Sequence, residues 1–161
     1  MSLEHVREAL TPFGAQDRIL VFDVSSATVE LAAQALHCEP GRIAKTLSFM
    51  AGDKPLLIVA AGDCRVDNHK YKARFGVKAK MMTAEQLLQW TGLRFGGVCP
   101  FGIPAEVDIY LDESLRRYDT VYPACGTDNS AIEVTLPELE RFSGAAGWVD
   151  VGKETPEKQV S

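Results

Sequence analysis

Residues 43–61 read IAKTLSFMAGDKPLLIVAA, and this stretch decides the fold of the chain. Two apolar runs, 43–50 and 56–61, flank a turn that contains Gly, Asp and Pro, which is the pattern of a β-hairpin. Alternation along the first run puts Lys45 on the same face as Leu47 and Phe49. The sequence therefore predicts an antiparallel hairpin with one lysine in an apolar row.

Helical and strand patterns flank the hairpin on both sides. Three helices are predicted with a preceding cap: Leu3 to Phe13 with Ser2, 29–36 with Ser25 or Ser26, and 68–75 with Asp67. Two more helices are predicted, one after Thr83 and one that has Pro137 in its first position. Further strands are predicted at 18–23, 77–81, 107–111, 120–124, 131–135 and 148–151, and a short helix at 112–117. Since these elements mix without strict βαβ alternation, we predict an α+β single domain with a mixed, largely antiparallel sheet flanked by helices.

Composition limits the class of protein. The length of 161 residues suits one domain, which we place at 1–152 with a polar tail at 153–161. Apolar residues make up 46% of the chain, enough for a core, and the net charge of −5 argues against coating nucleic acid by charge alone. No apolar run is long enough for a membrane span and the N-terminus lacks a signal-peptide pattern, so we expect a cytoplasmic protein.

The cysteines are scattered at positions 38, 64, 99 and 125. They form no Cys-x-x-Cys pair and no Cys/His cluster with zinc spacing. We therefore expect free thiols and no metal.

The segment Gly92–Pro104 is long and irregular, with four glycines and two prolines. A loop of this length inside a compact domain is usually functional or disordered, and the aromatic residues at 95 and 101 argue against disorder. Its centre reads GGVCPFG over 96–102, in which glycine lets the backbone approach a ligand and proline stiffens the loop. Together with Lys45 and the turn Gly126–Ser130, it predicts a pocket for a ligand with a negative and a positive group.

Each candidate also has a structural explanation. Lys45 needs an anionic partner if it points into the apolar row, or it lies near the strand end and extends to water. Asp128 could hold an amine, or it could serve only the turn that contains it. Cys99 could be a nucleophile with His69 as base, or a small and weakly polar part of the pocket wall.

A basic segment covers residues 65–80, with six basic residues and one acid. On a helix, Lys70 and Arg74 share one face, and Tyr71 and Phe75 share another. Such a segment contacts RNA phosphates or is a solvated helix face. The candidates for tRNA binding are Arg65, Lys70, Lys72 and Arg74.

Four segments in this order and spacing resemble the YbaK/ProX family, the free-standing relatives of the editing domain inserted in bacterial prolyl-tRNA synthetases. They are AKTL at 44–47, VAAGDCRVD at 59–67, GGVCPFG at 96–102 and GTDNSAIE at 126–133. The resemblance covers roughly residues 17–142. It implies a partly barrel-like sheet and hydrolysis, in trans, of the ester that joins a wrong amino acid to tRNA.

The resemblance also assigns roles within the site. It implies that Lys45 is the residue most associated with activity, and that the loop and the turn shape the amino-acid pocket. The substrate-binding residues are then Phe22, Gly96, Gly97, Val98, Cys99, Pro100, Phe101, Gly102, Thr127 and Asp128. Some members have tyrosine where this chain has Phe22, and the position of Cys99 is often serine. The implied partners are the acceptor end of tRNA and an aminoacyl-tRNA synthetase, with no metal or organic cofactor.

The expected chemistry needs an oriented water and donors for the oxyanion rather than a strong nucleophile. Backbone N–H groups of residues 97–102 are the candidate donors, and the small pocket suits alanine, serine, cysteine or threonine. Two alternatives stay open: a module of the same fold that binds tRNA, a nucleotide or an amino acid without turnover, and a thiol hydrolase that uses Cys99.

Overall fold

The computed structural model describes residues 3–154, and its centre is the hairpin that the sequence predicts. Strand β2 covers Ile43–Ala51 and strand β3 covers Lys54–Ala61, paired antiparallel with Lys45 opposite Ala60. The remaining strands are β1 (Leu20–Val21), β4 (Cys64–Val66), β5 (Asp108–Asp112), β6 (Thr120–Pro123), β7 (Ser130–Ala131), β8 (Val134–Thr135), β9 (Gly147–Val149) and β10 (Gly152–Glu154). The helices are α1 (Leu3–Leu10), α2 (Val29–Leu36), α3 (Asn68–Phe75), α4 (Ala84–Thr91) and α5 (Leu136–Ser143).

The main sheet has six strands in the order β8-β6-β2-β3-β5-β9 and is curled into half a barrel. The pairs β6–β2, β3–β5 and β5–β9 are parallel, whereas β2–β3 and β6–β8 are antiparallel. Two small antiparallel ladders, β1–β7 and β4–β10, complete the strand pairing within residues 3–154. This arrangement confirms the predicted mixed α+β class.

The two faces of the hairpin pack against different groups of residues. One face, with Leu57 and Val59, belongs to the main core, which also contains Leu111 and Phe101. The other face, with Phe49, Leu56 and Ile58, packs against Tyr71 of α3 and the chain around β9. Because both faces are covered, nearly all of β3 is buried.

Helix starts are mostly where the sequence places them. The side chain of Asp67 accepts hydrogen bonds from the N–H groups of residues 69 and 70, and Thr83 forms a capping box with Gln86. The predicted cap of α2 is wrong, because Thr28 rather than Ser25 or Ser26 accepts the N–H of Leu31. Helix α5 is capped by Thr135, so Pro137 lies at its second position rather than its first.

Three predicted strands differ from the observed ones because their partners are distant in sequence. The 18–23 strand is reduced to β1, and the 131–135 strand divides into β7 and β8, which pair with different strands. In 77–81 only Met81 forms a bridge, to Phe49. Lys153 and Glu154, assigned to the polar tail, pair with β4. The rest of that tail, and the Ser2 cap, lie outside the described residues.

Candidate functional site

A cavity of about 160 Å³ lies along the edge of β2 that faces β6, beside residues of the glycine-rich loop and of the turn. Residues from separate parts of the chain line it: Ser26, Ala27, Thr28, Val29, Ala32, Ile43, Ala44, Lys45, Thr46, Leu47, Ser48, Met81, Phe95, Gly96, Val98, Tyr122, Ala124, Ser130 and Ala131. Lys45 thus lines the same cavity as Gly96 and Val98. The structure brings the lysine and the glycine-rich loop together around one hollow.

An interruption in strand pairing makes room for this cavity. At one end of β2, Ile43 and Ala44 pair with β6. At the other end, the N–H of Met50 donates to the carbonyl of Lys80 at 2.9 Å, and the N–H of Met82 donates to the carbonyl of Ser48 at 3.0 Å. Within residues 3–154 no strand pairs with 45–47 on this edge. Because strand residues alternate in direction, the N–H and C=O of Thr46 point the same way as those of Ser48 and Met50, toward the gap.

The loop Gly92–Pro104 divides into two halves with different surroundings. In the cavity half, residues 95–98, three of the four residues line the cavity. Gly96 has φ of +96°, a conformation that side chains other than glycine rarely adopt. A Cβ placed on Gly97 would lie 2.9 Å from the backbone carbon of Gly126, so this glycine packs directly on the turn. The N–H of Gly97 donates to the carbonyl of Arg94 at 3.1 Å and is therefore already used within the loop.

The core half, residues 99–102, lies behind the cavity and corrects the expectation that the whole loop forms the pocket wall. Cys99 and Phe101 are fully buried in the main core, and Pro100 is also buried. Gly102 packs against His5, whose Nε2 lies 2.9 Å from the Gly102 carbonyl oxygen. These four residues do not line the cavity, because the large Phe101 side chain is anchored in the core.

The position of Cys99 argues against the thiol hydrolase. Its Sγ donates to the carbonyl of Phe101 at 3.7 Å, and burial raises the pKa of the thiol to about 12. A protonated, fully buried thiol is not a nucleophile at neutral pH. His69 lies exposed at the start of α3, so it is not placed to act as the base for this thiol.

The turn Gly126–Ser130 is held to the N-terminal part of the chain by hydrogen bonds. The carbonyl of Asp128 accepts the N–H of Ser26 at 2.6 Å, and the N–H of Phe22 donates to the carbonyl of Asn129 at 2.8 Å. Thr127 Oγ1 lies 2.6 Å from Ser130 Oγ. Phe22, Thr127 and Asp128 are therefore beside the cavity rather than in its lining, and the Asp128 residue is exposed.

The basic segment is only partly available for RNA. Lys70 Nζ donates to Asp150 at 3.1 Å and to the carbonyl of Gly152 at 2.9 Å, and the hydrogen bond to Asp150 raises the pKa of Lys70. Lys70 therefore holds β10 against α3, and its contact with tRNA stays a prediction. The guanidinium of Arg74 lies over the rings of residues 75 and 110.

The other two predicted tRNA-binding residues are exposed. Arg65 lies on β4, and Lys72 shares a groove with Lys78 on the surface of α3 and the segment after it. That segment continues through Lys80 to Met81, which lines the cavity. The segment that carries Lys78 and Lys80 therefore connects this groove to the cavity lining along the chain.

Sequence reasoning missed Thr46, Ser48, Met81, Phe95 and Ser130 as cavity residues. Alternation places Thr46 and Ser48 on the opposite face of β2 from Lys45, so it did not group them with the lysine. Among residues 3–154, no group of three His, Cys, Asp or Glu side chains could hold a metal ion. No helix in this part of the chain is both long and apolar enough to cross a membrane.

Comparisons with known proteins agree with this geometry. The chain is 48% identical over 155 residues to the uncharacterized protein YwhH of Bacillus subtilis, covering 96% of this chain and 99% of that protein. It is 32% identical over 110 residues, 66% of each chain, to EbsC of Enterococcus faecalis, named provisionally as a Cys-tRNA(Pro)/Cys-tRNA(Cys) deacylase. A solved structure described as a provisional trans-editing enzyme for prolyl tRNA synthetase superposes with a TM-score of 0.85 at 31% identity, covering 95% of this chain and 99% of that one.

The chain also matches part of a larger enzyme. It is 28% identical over 125 residues to the proline–tRNA ligase of Lactiplantibacillus plantarum, and the match spans 77% of this chain but 22% of the ligase. The model of the aminoacyl-tRNA editing domain matches residues 23–142, which include the cavity-lining strand, loop and turn. The chain therefore belongs to the aminoacyl-tRNA editing domain family.

Proposed function

We propose that this protein is a trans-acting deacylase, which hydrolyses the ester between tRNA and a wrongly attached small amino acid such as alanine, serine, cysteine or threonine. The observation that carries the proposal is the shared cavity of Lys45, Gly96 and Val98 at the open edge of β2. Its volume of about 160 Å³ suits a small aminoacyl group rather than a large one. Family membership supports the same reaction.

Lys45 supplies the positive charge in this mechanism. An aminoacyl ester is already activated, so the site has to orient a water and stabilise the oxyanion that forms on attack. The ammonium group neutralises either the terminal phosphate of the tRNA or the developing negative charge. A cation in a partly enclosed cavity has a larger effect than one in open water, because the surrounding dielectric constant is lower.

Backbone N–H groups complete the oxyanion site. Gly97 is not the donor, since its N–H is bonded to Arg94. The N–H of Thr46 at the open edge of β2 is a better candidate, because it lies next to Lys45 and no strand within residues 3–154 pairs with it there. This replaces the donors that we expected from the loop.

The remaining groups orient the substrate. In this proposal Asp128 pairs with the free amino group of the aminoacyl moiety. In support, a Cβ built on the cavity residue Gly96 would lie 3.8 Å from the Cβ of Asp128. Exposed cations at Arg65 and Lys72 attract the acceptor stem, and single-stranded CCA then reaches the cavity past Met81. Selection of a small amino acid by a second site is useful, because a synthetase distinguishes one methylene by only about 1–3 kcal/mol.

The test is a panel of purified mischarged tRNAs, carrying each of the four amino acids in turn, incubated with the protein with and without EDTA. We expect catalytic release of at least one amino acid and no effect of EDTA. Binding of these tRNAs without release would contradict the proposal and favour the non-catalytic module. A loss of activity in EDTA would show a metal requirement that this mechanism does not contain.

A further inference from the structure

Two apolar side chains of the cavity lining are largely exposed to water. Phe95 is 53% exposed and Met81 is 51% exposed, and they come from separate segments of the chain. Within residues 3–154, Phe95 is the most exposed aromatic side chain, and its ring is not paired with another aromatic ring. Single exposed apolar residues are common on protein surfaces, whereas an apolar rim beside a cavity is typical of a ligand site.

The backbone fixes the position of the Phe95 ring. Residues 94–97 form a turn that is closed by the hydrogen bond from the N–H of Gly97 to the carbonyl of Arg94, and Phe95 is its second residue. The third residue, Gly96, has φ of +96°, and a positive φ at this position of a turn favours glycine. Because Gly97 also packs on the backbone of Gly126, Phe95 is exposed on a supported turn.

The size of the cavity leaves the nucleotide of the substrate outside it. Sites that enclose a drug-sized ligand have volumes of about 300–1,000 Å³, whereas this cavity has about 160 Å³. If a small aminoacyl group fills the cavity, the ribose and base that carry this group must lie at its mouth, where the lining is exposed. Nucleic-acid bases stack on exposed aromatic rings, because every base has a π face. Phe95 provides such a ring.

We propose that the ring of Phe95 stacks on the terminal base of the tRNA and so holds the aminoacyl ester in the cavity. This inference rests on the proposed function and adds to it a residue that binds the nucleotide. The aminoacyl group then has the cavity as its partner, the charged groups have Lys45, and the base has Phe95. Because stacking tolerates any base, Phe95 contributes affinity and position rather than base identity.

Binding is measured first, with a 3′-alanyl adenosine analogue whose ester is replaced by an amide that water does not cleave, and with the same analogue without its base. Alanine is the smallest of the four proposed amino acids, so it fits a cavity that accepts any of them. We expect the wild-type protein to bind the complete analogue about tenfold to a hundredfold more tightly, the scale of stacking one base on one aromatic ring. Equal binding of the two analogues, or no binding of either, would overturn the inference.

Two substitutions separate stacking from general apolar contact. Phe95→Leu keeps an apolar side chain but has no ring, so the preference for the complete analogue should fall to about threefold or less. Phe95→Trp should retain the preference. The matched control is Leu88→Ala, since Leu88 is 43% exposed on α4 and does not line the cavity, and this variant should bind both analogues as the wild type does. An unchanged preference in Phe95→Leu would show that another group binds the base.

Phe95→Trp also reports the contact directly. The other tryptophans of the chain are Trp90 and Trp148, whose fluorescence is subtracted with the wild-type protein. A base that stacks on the indole ring should quench the remaining fluorescence. We expect quenching by the complete analogue and little by the analogue without its base. Equal quenching by the two analogues would show that this side chain does not contact the base.

Deacylation then separates this inference from the proposed function. With a mischarged tRNA, Phe95→Leu should raise KM about tenfold and change kcat little, because the stack is the same in the bound substrate and in the transition state. Turnover with an unchanged KM overturns the stack alone and leaves the deacylase. Base-dependent binding by the wild-type protein without release of any amino acid overturns the deacylase and leaves the stack.

Discussion

The two halves of the loop Gly92–Pro104 are adjacent in sequence and have opposite surroundings. The cavity half, residues 95–98, contains Phe95, which is 53% exposed. The core half, residues 99–102, contains Phe101, which is 0% exposed. One continuous motif thus combines a wall of the site with an anchor for that wall. A motif that is typical of a binding loop can therefore contain residues whose role is mainly packing.

The two phenylalanines give the sharpest test of this division. Phe101→Ala should lower the free energy of unfolding by about 3–5 kcal/mol, because it leaves a cavity in the core. Phe95→Ala should lower it by less than about 1 kcal/mol, since most of its ring is in water. Urea denaturation measures both. Similar losses in the two variants would show that the loop is one structural unit and would break the comparison.

Lys45 lines the cavity together with the loop. Lys45→Ala should lower kcat/KM for deacylation by about a hundredfold to a thousandfold, the effect of removing one charge-stabilising group from a site. Thermal unfolding should change little. The control is Lys54→Ala on β3, whose ammonium lies 3.3 Å from Asp108 in an exposed ion pair. Full activity in Lys45→Ala would remove the main support for the proposed mechanism.

The contact between the cavity half and the turn is tested by Gly97→Ala. The added Cβ would meet the backbone of Gly126 and Thr127 at 2.9–3.0 Å, so loop and turn must separate. We expect a loss of about 1–3 kcal/mol in stability, together with weaker substrate binding. The control is Gly147→Ala, because nothing lies within 4 Å of the new Cβ. This variant should change stability and binding very little. An unchanged KM in Gly97→Ala would mean that the turn does not shape the site.

The smallest effect is expected for Cys99→Ala in the core half. Removing one buried sulfur should cost about 1 kcal/mol of stability and leave deacylation intact. In the folded wild type, an alkylating reagent at pH 8 should modify the partly exposed Cys38 and spare Cys99. Loss of turnover in this variant, with normal folding, would restore the thiol hydrolase.

Cys99 also predicts a pH dependence of stability. Burial raises the pKa of its thiol from 9.0 to about 12. Between these values the unfolded chain releases the proton while the folded chain retains it, so the free energy of unfolding falls as pH rises above 9. The fall should be smaller in Cys99→Ala, as measured by urea denaturation at pH 8, 9 and 10. The same slope in both proteins would show that this thiol does not contribute.

Local features of the sequence were reliable where the determining contacts are local. The hairpin of β2 and β3 follows from a turn between two apolar runs, and the helix starts at Asp67 and Thr83 follow from side chains that accept nearby N–H groups. Predictions failed where the partner is distant. The strand expected at 131–135 divides because β7 pairs with β1, whereas β8 pairs with β6.

The site shows the same limit. Alternation placed Lys45 on one face of β2, and the order of four segments indicated the family. Local pattern did not reveal that Lys70 is held by Asp150, since those residues are 80 positions apart. It also did not separate the two halves of the loop, because glycine and proline content describes the backbone and not the direction of each side chain.

By itself, then, the sequence determined the mixed α+β class, the central hairpin and the segments that converge on a site. Only the tertiary structure decided that, within residues 3–154, no strand pairs with 45–47 on the edge of β2 that faces β6, and that the cavity lies beside this gap. The physical reason is that the N–H and C=O groups along a strand edge form hydrogen bonds with the neighbouring strand, and that neighbour is distant in sequence. That strand, β6, comes from a part of the chain 79 residues further on, as in the pair Ile43 and Tyr122.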